Sequence, residues 1–314
     1  MSLAFIFPGQ GSQAVGMGAE LADAFGSARQ VFQEVDDALS QKLFKLMREG
    51  PIEELTLTEN AQPALMAVSL AVVRVLQADF GVDIGKAAFV AGHSLGEYSA
   101  LAAAEALTLH DAARLLRLRG QAMQRAVPVG EGAMASLIGP KADVALAEAA
   151  AAAGSEVGVC VVANDNNAGN VVISGEKAAV DRAIAKAKEL GARAVPLNVS
   201  APFHCPLMQP AADEMAAALA EAALTAPRAP LVANITARPV HDAETIRRLL
   251  VEQVTGRVRW RESIEWLVQE GGVHRFAELG AGKVLSGMVK RIAPDADAVA
   301  LNAAADLETF SKSL

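Results

Sequence analysis

The sequence predicts an α/β fold in which a parallel sheet, covered by helices, carries a small inserted domain. Short apolar runs of strand length alternate with longer helical patterns along the 314 residues, an order typical of parallel sheets. From residue 128 to residue 199 the order changes to β-α-β-β-α-β, the split βαβ arrangement called ferredoxin-like. The earlier alternation then resumes. We therefore expect a large domain formed by 1–127 and 200–314, and an inserted domain formed by 128–199.

The first part of the large domain begins with the apolar run 3–7, which Pro8 and Gly9 end. Such a run indicates a buried strand that enters a loop. A second apolar run, 87–91, leads directly into a glycine-rich turn. The helices predicted for this part lie near 15–25, 28–39 and 62–80, from the turn to about 105, and over 110–126.

Pro128 and Gly130 break this alternation and introduce the insert. Its predicted elements are a strand over 133–138, a helix over 141–153, strands over 157–163 and 170–173, a helix over 176–190 and a strand over 192–199. The elements predicted after it are helices near 206–223, 243–254, 260–270 and 284–291, and strands near 231–235, 273–277 and 298–301.

The composition argues against several classes of protein. Hydrophobic residues make up 52% of the chain, which indicates a globular rather than a disordered protein. A net charge of −8 with no polybasic block argues against nonspecific nucleic-acid binding and against an anionic membrane surface. Uninterrupted apolar stretches reach about ten residues, short of the ~20 that a membrane helix needs, and the N-terminus lacks the basic segment of a signal peptide.

The two cysteines, Cys160 and Cys205, have neither CxxC spacing nor a spacing typical of zinc sites. We therefore expect two reduced thiols in a cytoplasmic protein, with no metal site.

The segment from Gly92 to Gly96, hereafter the elbow, carries the strongest catalytic motif. Its sequence is Gly-His-Ser-Leu-Gly, and GxSxG between a strand and a helix is the nucleophile elbow, in which a tight turn exposes the serine hydroxyl. Ser94 is therefore the candidate nucleophile, and the N–H of Leu95 is placed to stabilise an oxyanion. The alternative is an ordinary Gly-Ser turn.

A serine nucleophile needs a base, usually histidine. The chain has five histidines, and His93 is disfavoured as the base because it adjoins the serine at a turn where neighbouring side chains point apart. His110 and His241 lie in polar contexts that suggest solvation, and His274 falls in a predicted strand and could belong to the core. His204 lies in a loop between two prolines, which suits the presentation of a catalytic side chain. We favour His204; a pair of His204 with the adjacent Cys205 is disfavoured, because no electropositive setting for the thiol is visible.

The loop from Phe7 to Gln13, sequence FPGQGSQ, leaves the end of a buried strand, where sites form in α/β proteins. It is not a P-loop, because no Gly-Lys-Ser/Thr follows. Gln10 could donate to an oxyanion from this loop, and a purely structural turn is the alternative. The turn Gly280 to Lys283 is interpreted as structural.

These residues together resemble the malonyl-CoA:acyl carrier protein transacylase family over nearly the whole chain. The segments that carry the resemblance are FPGQGSQ (7–13), QPAL (62–65), AGHSLGEYSAL (91–101), MQRAVP (123–128), GAMAS (132–136), SAPFHCPLM (200–208) and ELGAGKVLSGM (278–288). The resemblance implies an α/β-hydrolase-like core joined to a ferredoxin-like insert.

Roles for five residues at the reaction centre follow from the resemblance by position. Ser94 matches the nucleophile of the family and His204 its base. Gln10 and the N–H of Leu95 match the oxyanion donors. Gln253 matches the residue whose backbone carbonyl orients the histidine, in place of the usual aspartate.

The resemblance also selects Arg119 as the residue that binds the malonyl carboxylate, a choice that spacing alone leaves open between Arg117 and Arg119. A guanidinium can bind a carboxylate through two hydrogen bonds, and a buried one disfavours acetyl because its charge stays unpaired. Arg114 and Arg117 are expected to be solvated helix residues.

Further positions match residues near the substrate, namely His93, Asn164 and Asn166. Phe203 stands where bacterial relatives often have a small residue, and it resembles the malonyl-selecting form of modular synthases.

The function implied is malonyl transfer from malonyl-CoA to the phosphopantetheine thiol of acyl carrier protein, in fatty acid biosynthesis, by a cytoplasmic monomer without a cofactor and without nucleic-acid or membrane partners. Three alternatives stay open: a polyketide-type or malonate-pathway acyltransferase, a serine thioesterase or hydrolase, and a non-enzymatic carrier-binding protein.

Overall fold

The structure, a computed structural model, describes residues 2–314. Its strands are β1 (Leu3–Phe7), β2 (Phe89–Gly92), β3 (Gly132–Ile138), β4 (Cys160–Asn167), β5 (Asn170–Glu176), β6 (Arg193–Pro196), β7 (Leu231–Ala233), β8 (Arg238–Val240), β9 (Arg275–Leu279) and β10 (Asp297–Leu301).

The α-helices are α1 (Ala19–Ala24), α2 (Gly26–Leu39), α3 (Leu43–Glu49), α4 (Ile52–Thr56), α5 (Thr58–Ala78), α6 (Gly96–Ala103), α7 (Leu109–Ala126), α8 (Val144–Gly154), α9 (Lys177–Glu189), α10 (Gln209–Glu221), α11 (Ala243–Thr255), α12 (Trp260–Gln269), α13 (Val284–Ile292) and α14 (Ala304–Ser311). Short 3-10 turns occupy Ile84–Lys86 and Pro206–Met208.

The larger sheet has six strands in the order β10-β9-β1-β2-β7-β8. All neighbouring pairs are parallel except β7 with β8, which is antiparallel. The inner strands β1, β2 and β7 are apolar along their whole length because helices cover both faces of a parallel sheet; in β1, Ala4 to Phe7 are buried. The inner strand β9 also carries Arg275 at its start and the buried Glu278. In the β1–β2 register Phe7 lies opposite Gly92, so the FPGQGSQ loop and the elbow leave the sheet side by side.

The smaller sheet is antiparallel, in the order β4-β5-β3-β6. With α8 and α9 it follows the predicted βαββαβ order, and a separate apolar core that includes Leu137, Ile173 and Ala183 holds its sheet and helices together. The fold class expected from the sequence is therefore confirmed. We keep the proposal that the insert runs from 128 to 199.

The long helix α5 lies in the core of the large domain. It packs against α2 and α7. Among residues 2–314 it is the one helix long and apolar enough to cross a membrane, and 83% of its apolar window is buried inside the molecule. Its apolar surface is accordingly used in packing.

Strand β4 differs from the expectation in a way that matters for the site. The sequence places the end of this strand at Ala163 and treats the following polar residues as a turn, whereas β4 continues to Asn167 with two irregularities in its pairing to β5. The polar stretch stays extended because it also bonds to the large domain: the N–H of Asp165 donates to the carbonyl of Val258 over 2.9 Å.

Candidate active site

Ser94 lies at a sharp bend between β2 and α6. Its φ of 54° is a left-handed conformation that non-glycine residues adopt only when the surroundings enforce it. Gly92 and Gly96 permit that bend. A Cβ on Gly92 would lie 1.9 Å from the carbonyl carbon of Gly96, and a Cβ on Gly96 would lie 2.3 Å from the carbonyl oxygen of Phe7. Both glycines are thus required by close backbone contacts.

The structure brings His204 to this serine, although the two residues are 110 positions apart. Ser94 Oγ lies 2.8 Å from His204 Nε2, and His204 Nδ1 lies 2.9 Å from the backbone carbonyl of Gln253. A carbonyl only accepts hydrogen bonds, so Nδ1 carries the proton and Nε2 is free to accept the proton of the serine hydroxyl. The arrangement has the geometry of a nucleophile, a base and an orienting acceptor.

The environment of His204 keeps its imidazole neutral. Burial, followed by the positive charge of Arg119, lowers the pKa of His204 from 6.5 to about 3, against the opposing effect of the Gln253 carbonyl. A neutral imidazole at physiological pH is the form that can act as a general base.

Arg119, on α7, is almost wholly buried, with 1% of its surface exposed. Its Nη1 donates to Gln62 Oε1 over 2.8 Å, and its Nη2 donates to Ser94 Oγ over 3.1 Å and to Gln253 Oε1 over 2.8 Å. Among residues 2–314 its Nε has no hydrogen-bond partner. A buried guanidinium with a spare donor beside the Ser94 hydroxyl is suited to bind an anionic group.

The neighbouring arginines lie elsewhere. Arg114 is exposed, as expected. The expectation that Arg117 is solvated is wrong: it is half-buried and donates to Asn60 Oδ1 over 2.9 Å, because α7 turns that side chain toward α5 and the loop before α3 rather than toward solvent.

Two backbone N–H groups near Ser94 are available as oxyanion donors. Within the described chain neither Leu95 N–H nor Gln10 N–H has a hydrogen-bond acceptor. The side chain of Gln10 donates to Thr58 Oγ1 over 3.3 Å, and Thr58 Oγ1 lies 3.1 Å from Ser200 Oγ. These contacts connect the Gln10 loop with the loop that carries His204.

A cleft of about 350 Å³ opens between the large domain and the insert. Its lining includes Ser94, Arg119, His204, Phe203, Asn164 and Asn166. His93 also lines it, and its Nε2 lies 2.9 Å from Asn166 Oδ1, which joins the elbow to β4 across the cleft. Burial lowers the pKa of His93, so that imidazole is neutral as well. Most of the residues selected from the sequence therefore face one cavity.

Two residues that were not predicted from the sequence stabilise the elbow by hydrogen bonds on the side away from the cleft. Asn234 accepts the N–H of Ser94 at Oδ1 over 2.8 Å and donates from Nδ2 to the carbonyl of Gly92 over 2.7 Å. Glu97, at the start of α6, is 1% exposed and accepts the N–H of Asn234 over 2.6 Å. A single carboxylate on an otherwise apolar helix was the available signal for Glu97; nothing in the sequence marked Asn234.

The remaining candidates lie outside the site. His110, His241 and His274 are exposed, so the suggestion that His274 belongs to the core is wrong. It precedes β9 by one residue, at the surface edge of the sheet. The thiol of Cys205 is buried, donates to the carbonyl of Pro202, and has a raised pKa because of burial. In the described part of the chain no group of three or more His, Cys, Asp or Glu side chains could hold a metal ion.

Comparison with known proteins gives a consistent set of relatives. An acyl transferase domain model matches residues 4–304. The malonyl CoA-acyl carrier protein transacylase of Escherichia coli strain K12 is 46% identical over 301 residues, which cover 95% of each chain. The protein of the same name from Bacillus subtilis strain 168 is 46% identical over 92% of this chain and 90% of its own.

Solved structures agree over the full length. An acyl-carrier-protein-S-malonyltransferase from Bartonella henselae has a TM-score of 0.96 at 54% identity, covering 100% of this chain and 99% of its own. A malonyl-transacylase solved in complex with its type II PKS acyl-carrier protein has a TM-score of 0.96 at 43% identity, covering 100% of both chains.

Proposed function

This chain belongs to the acyl transferase family, and from that premise we propose that it moves a malonyl group from malonyl-CoA to the phosphopantetheine thiol of an acyl carrier protein. The observation that carries the proposal is the position of one oxygen: Ser94 Oγ lies 2.8 Å from the imidazole of His204 and 3.1 Å from the guanidinium of Arg119. A nucleophile that touches both a base and a buried cation is suited to an acyl group that ends in a carboxylate.

In the first half of the reaction Ser94 Oγ attacks the thioester carbonyl of malonyl-CoA. His204 Nε2 accepts the hydroxyl proton as the new C–O bond forms, and the N–H groups of Leu95 and Gln10 stabilise the oxyanion. The C–S bond then breaks, and the departing thiolate takes the proton from His204. The product is a malonyl ester on Ser94.

Arg119 selects the acyl group in this scheme. Two carbon atoms, the ester carbonyl carbon and the methylene carbon, separate the ester oxygen from the malonyl carboxylate. The carboxylate therefore reaches the guanidinium that contacts Ser94 Oγ in the free enzyme. Bidentate pairing would use donors that include the unpartnered Nε. An acetyl group leaves that buried charge without a partner and is therefore disfavoured.

In the second half the phosphopantetheine thiol attacks the ester. His204 takes the thiol proton and returns it to Ser94 Oγ as the C–O bond breaks. Water must be kept from the ester meanwhile, and a cleft covered by the insert supports this. His93, Asn164 and Asn166 are proposed to position the thioester arm from the cleft wall, and Phe203 is proposed to restrict branching at the α-carbon.

We further propose a cytoplasmic monomer that needs no cofactor and acts in fatty acid biosynthesis. A second candidate is a polyketide-type acyltransferase, because one structural relative was solved with a type II PKS acyl-carrier protein. The two differ in the carrier protein and share the chemistry of the site. A serine hydrolase would use the same residues with water as the acceptor.

The test is a partition experiment. The protein is incubated with malonyl-CoA and a phosphopantetheinylated acyl carrier protein, and malonyl-carrier protein and free malonate are quantified together. We expect transfer to the carrier to exceed malonate release by orders of magnitude; malonate released faster than carrier is loaded would favour the hydrolase instead. Carriers from fatty acid and polyketide systems, compared in parallel, distinguish the two transferase candidates.

A further inference from the structure

A buried carboxylate lies directly behind the elbow, outside the cleft. Glu97, the second residue of α6, is 1% exposed. Its Oε1 accepts the backbone N–H of Asn234 over 2.6 Å, and its Oε2 accepts a hydrogen bond from Gln253 Nε2. Nothing in the mechanism above uses this group.

The side chain of Gln253 connects that carboxylate with the arginine at the nucleophile. Its Oε1 accepts from Arg119 Nη2 over 2.8 Å, and its Nε2 also donates to the carbonyl of Ser94 over 2.9 Å. A guanidinium only donates and a carbonyl only accepts, so these two contacts fix which end of the amide faces Arg119. The NH₂ group must then face Glu97.

The direction of the hydrogen bonds requires a carboxylate at position 97. The series begins at one donor, Arg119, passes through the amide of Gln253, and ends at another donor, the N–H of Asn234. Between two donors one residue must accept from both sides, and an ionised carboxylate can do so whereas an amide cannot. Burial raises the pKa of Glu97 to about 8 and so favours the protonated form near neutral pH, while the donors from Asn234 and Gln253 and the charge of Arg119 favour the ionised form. Both carboxyl oxygens face donors, so a proton on either oxygen would have no acceptor, and the hydrogen-bond geometry favours the carboxylate.

We propose that Glu97 is a positioning residue for Arg119 and thereby a determinant of selectivity for acyl groups that end in a carboxylate. This inference rests on the proposed function. Glu97 and the Ser94 carbonyl together hold the NH₂ end of the Gln253 amide, and the oxygen of that amide holds the guanidinium against Ser94. A glutamine at position 97 sets a second NH₂ group against this NH₂ end, and reversal of the Gln253 amide to relieve that contact places a donor against the buried cation.

The first variant is Glu97→Gln, read as the ratio of kcat/KM for malonyl-CoA to kcat/KM for acetyl-CoA. The new side chain can still accept from Asn234 but not also from Gln253. We expect the malonyl-to-acetyl ratio to fall about tenfold or more, because malonyl alone uses Arg119. Glu278→Gln is the matched control: Glu278 is equally buried and accepts the N–H groups of Leu285 and Ser286, so its loss should lower stability and leave the ratio unchanged.

The second variant moves the carboxylate from position 97 to position 253. In Glu97→Gln with Gln253→Glu, the carboxylate at 253 accepts from Arg119 and from the new amide at 97, which in turn accepts from Asn234, while the hydrogen bond to the Ser94 carbonyl is lost. We expect the double variant to recover part of the malonyl-to-acetyl ratio that the single variant loses. A role of Glu97 in folding alone would not predict such recovery.

The outcomes separate this inference from the proposed function. Arg119→Ala should collapse the ratio; if it does not, the proposed role of Arg119 fails, and this inference with it. If Arg119→Ala collapses the ratio and a folded Glu97→Gln keeps it, only the inference is overturned. Should Glu97→Gln not fold, the double variant decides, since a ratio as low as that of Arg119→Ala contradicts the proposal. Should neither fold, Gln253→Met, which removes the joining amide and keeps the backbone carbonyl, must lower the ratio.

Discussion

The chemistry of the site depends on how three side chains share one small volume. Ser94 Oγ accepts from Arg119 and faces the unprotonated nitrogen of His204. Burial, and after it the positive guanidinium, disfavours protonation of the nearby imidazole, so the cation proposed to bind substrate also contributes to keeping the base neutral. When a malonyl carboxylate pairs with Arg119, that repulsion is relieved and His204 becomes a stronger base as substrate arrives.

The low pKa of His204 leads to a prediction that can be tested on this single residue. Because its pKa in the folded protein, about 3, lies below the ordinary 6.5, the imidazole should stay neutral as the pH falls from 8 to about 4. Nitrogen-15 NMR of the imidazoles measures this, with His204→Asn used to assign the signal.

The difference between the folded and the unfolded pKa of His204 also determines how the stability of the protein changes with pH. A histidine whose folded pKa is depressed contributes stability above its unfolded pKa and loses it as the pH falls through 6.5 toward 3. The free energy of unfolding of the wild type should therefore decline more steeply with acidification than that of His204→Asn. A His204 signal that titrates near 6.5 would contradict the account of its environment.

At the scale of elements, the elbow is made by the contact of two loops that follow neighbouring parallel strands. Phe7 and Gly92 are paired in the sheet, so the backbone after β1 passes against the start of α6. Gly96 stands where these segments touch, and any side chain there would meet the carbonyl of Phe7.

Gly96→Ala should therefore destabilise the protein. The added methyl would overlap backbone that cannot move independently of β1, and we expect a loss of about 1–3 kcal/mol or more in the free energy of unfolding. Urea unfolding measures this. Gly287→Ala is the matched control: Gly287 lies in α13 with no atom within 4 Å of an added Cβ, so it should gain ~0.5–1 kcal/mol. Equal effects of the two substitutions would show that the close contact at Gly96 is not limiting.

The same elements show what local patterns can and cannot predict. Ser94 could be proposed as the nucleophile because strand, GxSxG and helix are contiguous, and the position of most strands follows from their apolar runs. The polar end of β4 could not be predicted, because its hydrogen bonds to Val258 and its pairing with Arg261 join segments far apart in sequence. The short helices α3, α4 and α14 and the strand β8 were missed because they are too brief to show a period.

The contacts among Glu97, Asn234 and Gln253 likewise join segments that lie far apart in the sequence. Residue 97 is separated from 234 and 253 by more than a hundred positions. The resemblance supplied a role for the carbonyl of Gln253, whereas the role of its side chain depends on a three-dimensional arrangement that no local spacing encodes.

At the scale of the whole molecule, the insert is fixed to the large domain where it forms the wall of the cleft. Asp165, 1% exposed, lies between the two cleft residues Asn164 and Asn166. Its Oδ1 accepts from Arg261 Nε of α12 over 3.1 Å, and Val258 exchanges backbone hydrogen bonds with Ala163 and Asp165. The shape of the cleft therefore depends on this junction.

Arg261→Ala should weaken that junction. It leaves the buried carboxylate of Asp165 without its cation, and we expect a loss of about 1–3 kcal/mol in the free energy of unfolding, less than for a fully buried pair because Arg261 retains solvent access. The KM for malonyl-CoA should rise as Asn164 and Asn166 shift. Arg257→Ala removes another cation between the domains, paired with the exposed Glu148, and should cost ~0–1 kcal/mol. If the KM for malonyl-CoA were unchanged in both variants, the junction would have no influence on substrate binding, which would contradict this prediction.

The central claim, that a malonyl group is carried on Ser94, is tested most directly by locating the added mass. The protein is mixed with malonyl-CoA in the absence of a carrier, quenched in acid, digested and analysed by mass spectrometry. We predict one malonyl group per chain on the peptide that contains Ser94, and none in Ser94→Ala. A malonyl adduct that persists in Ser94→Ala, or that maps to another residue of the wild type, would contradict the account.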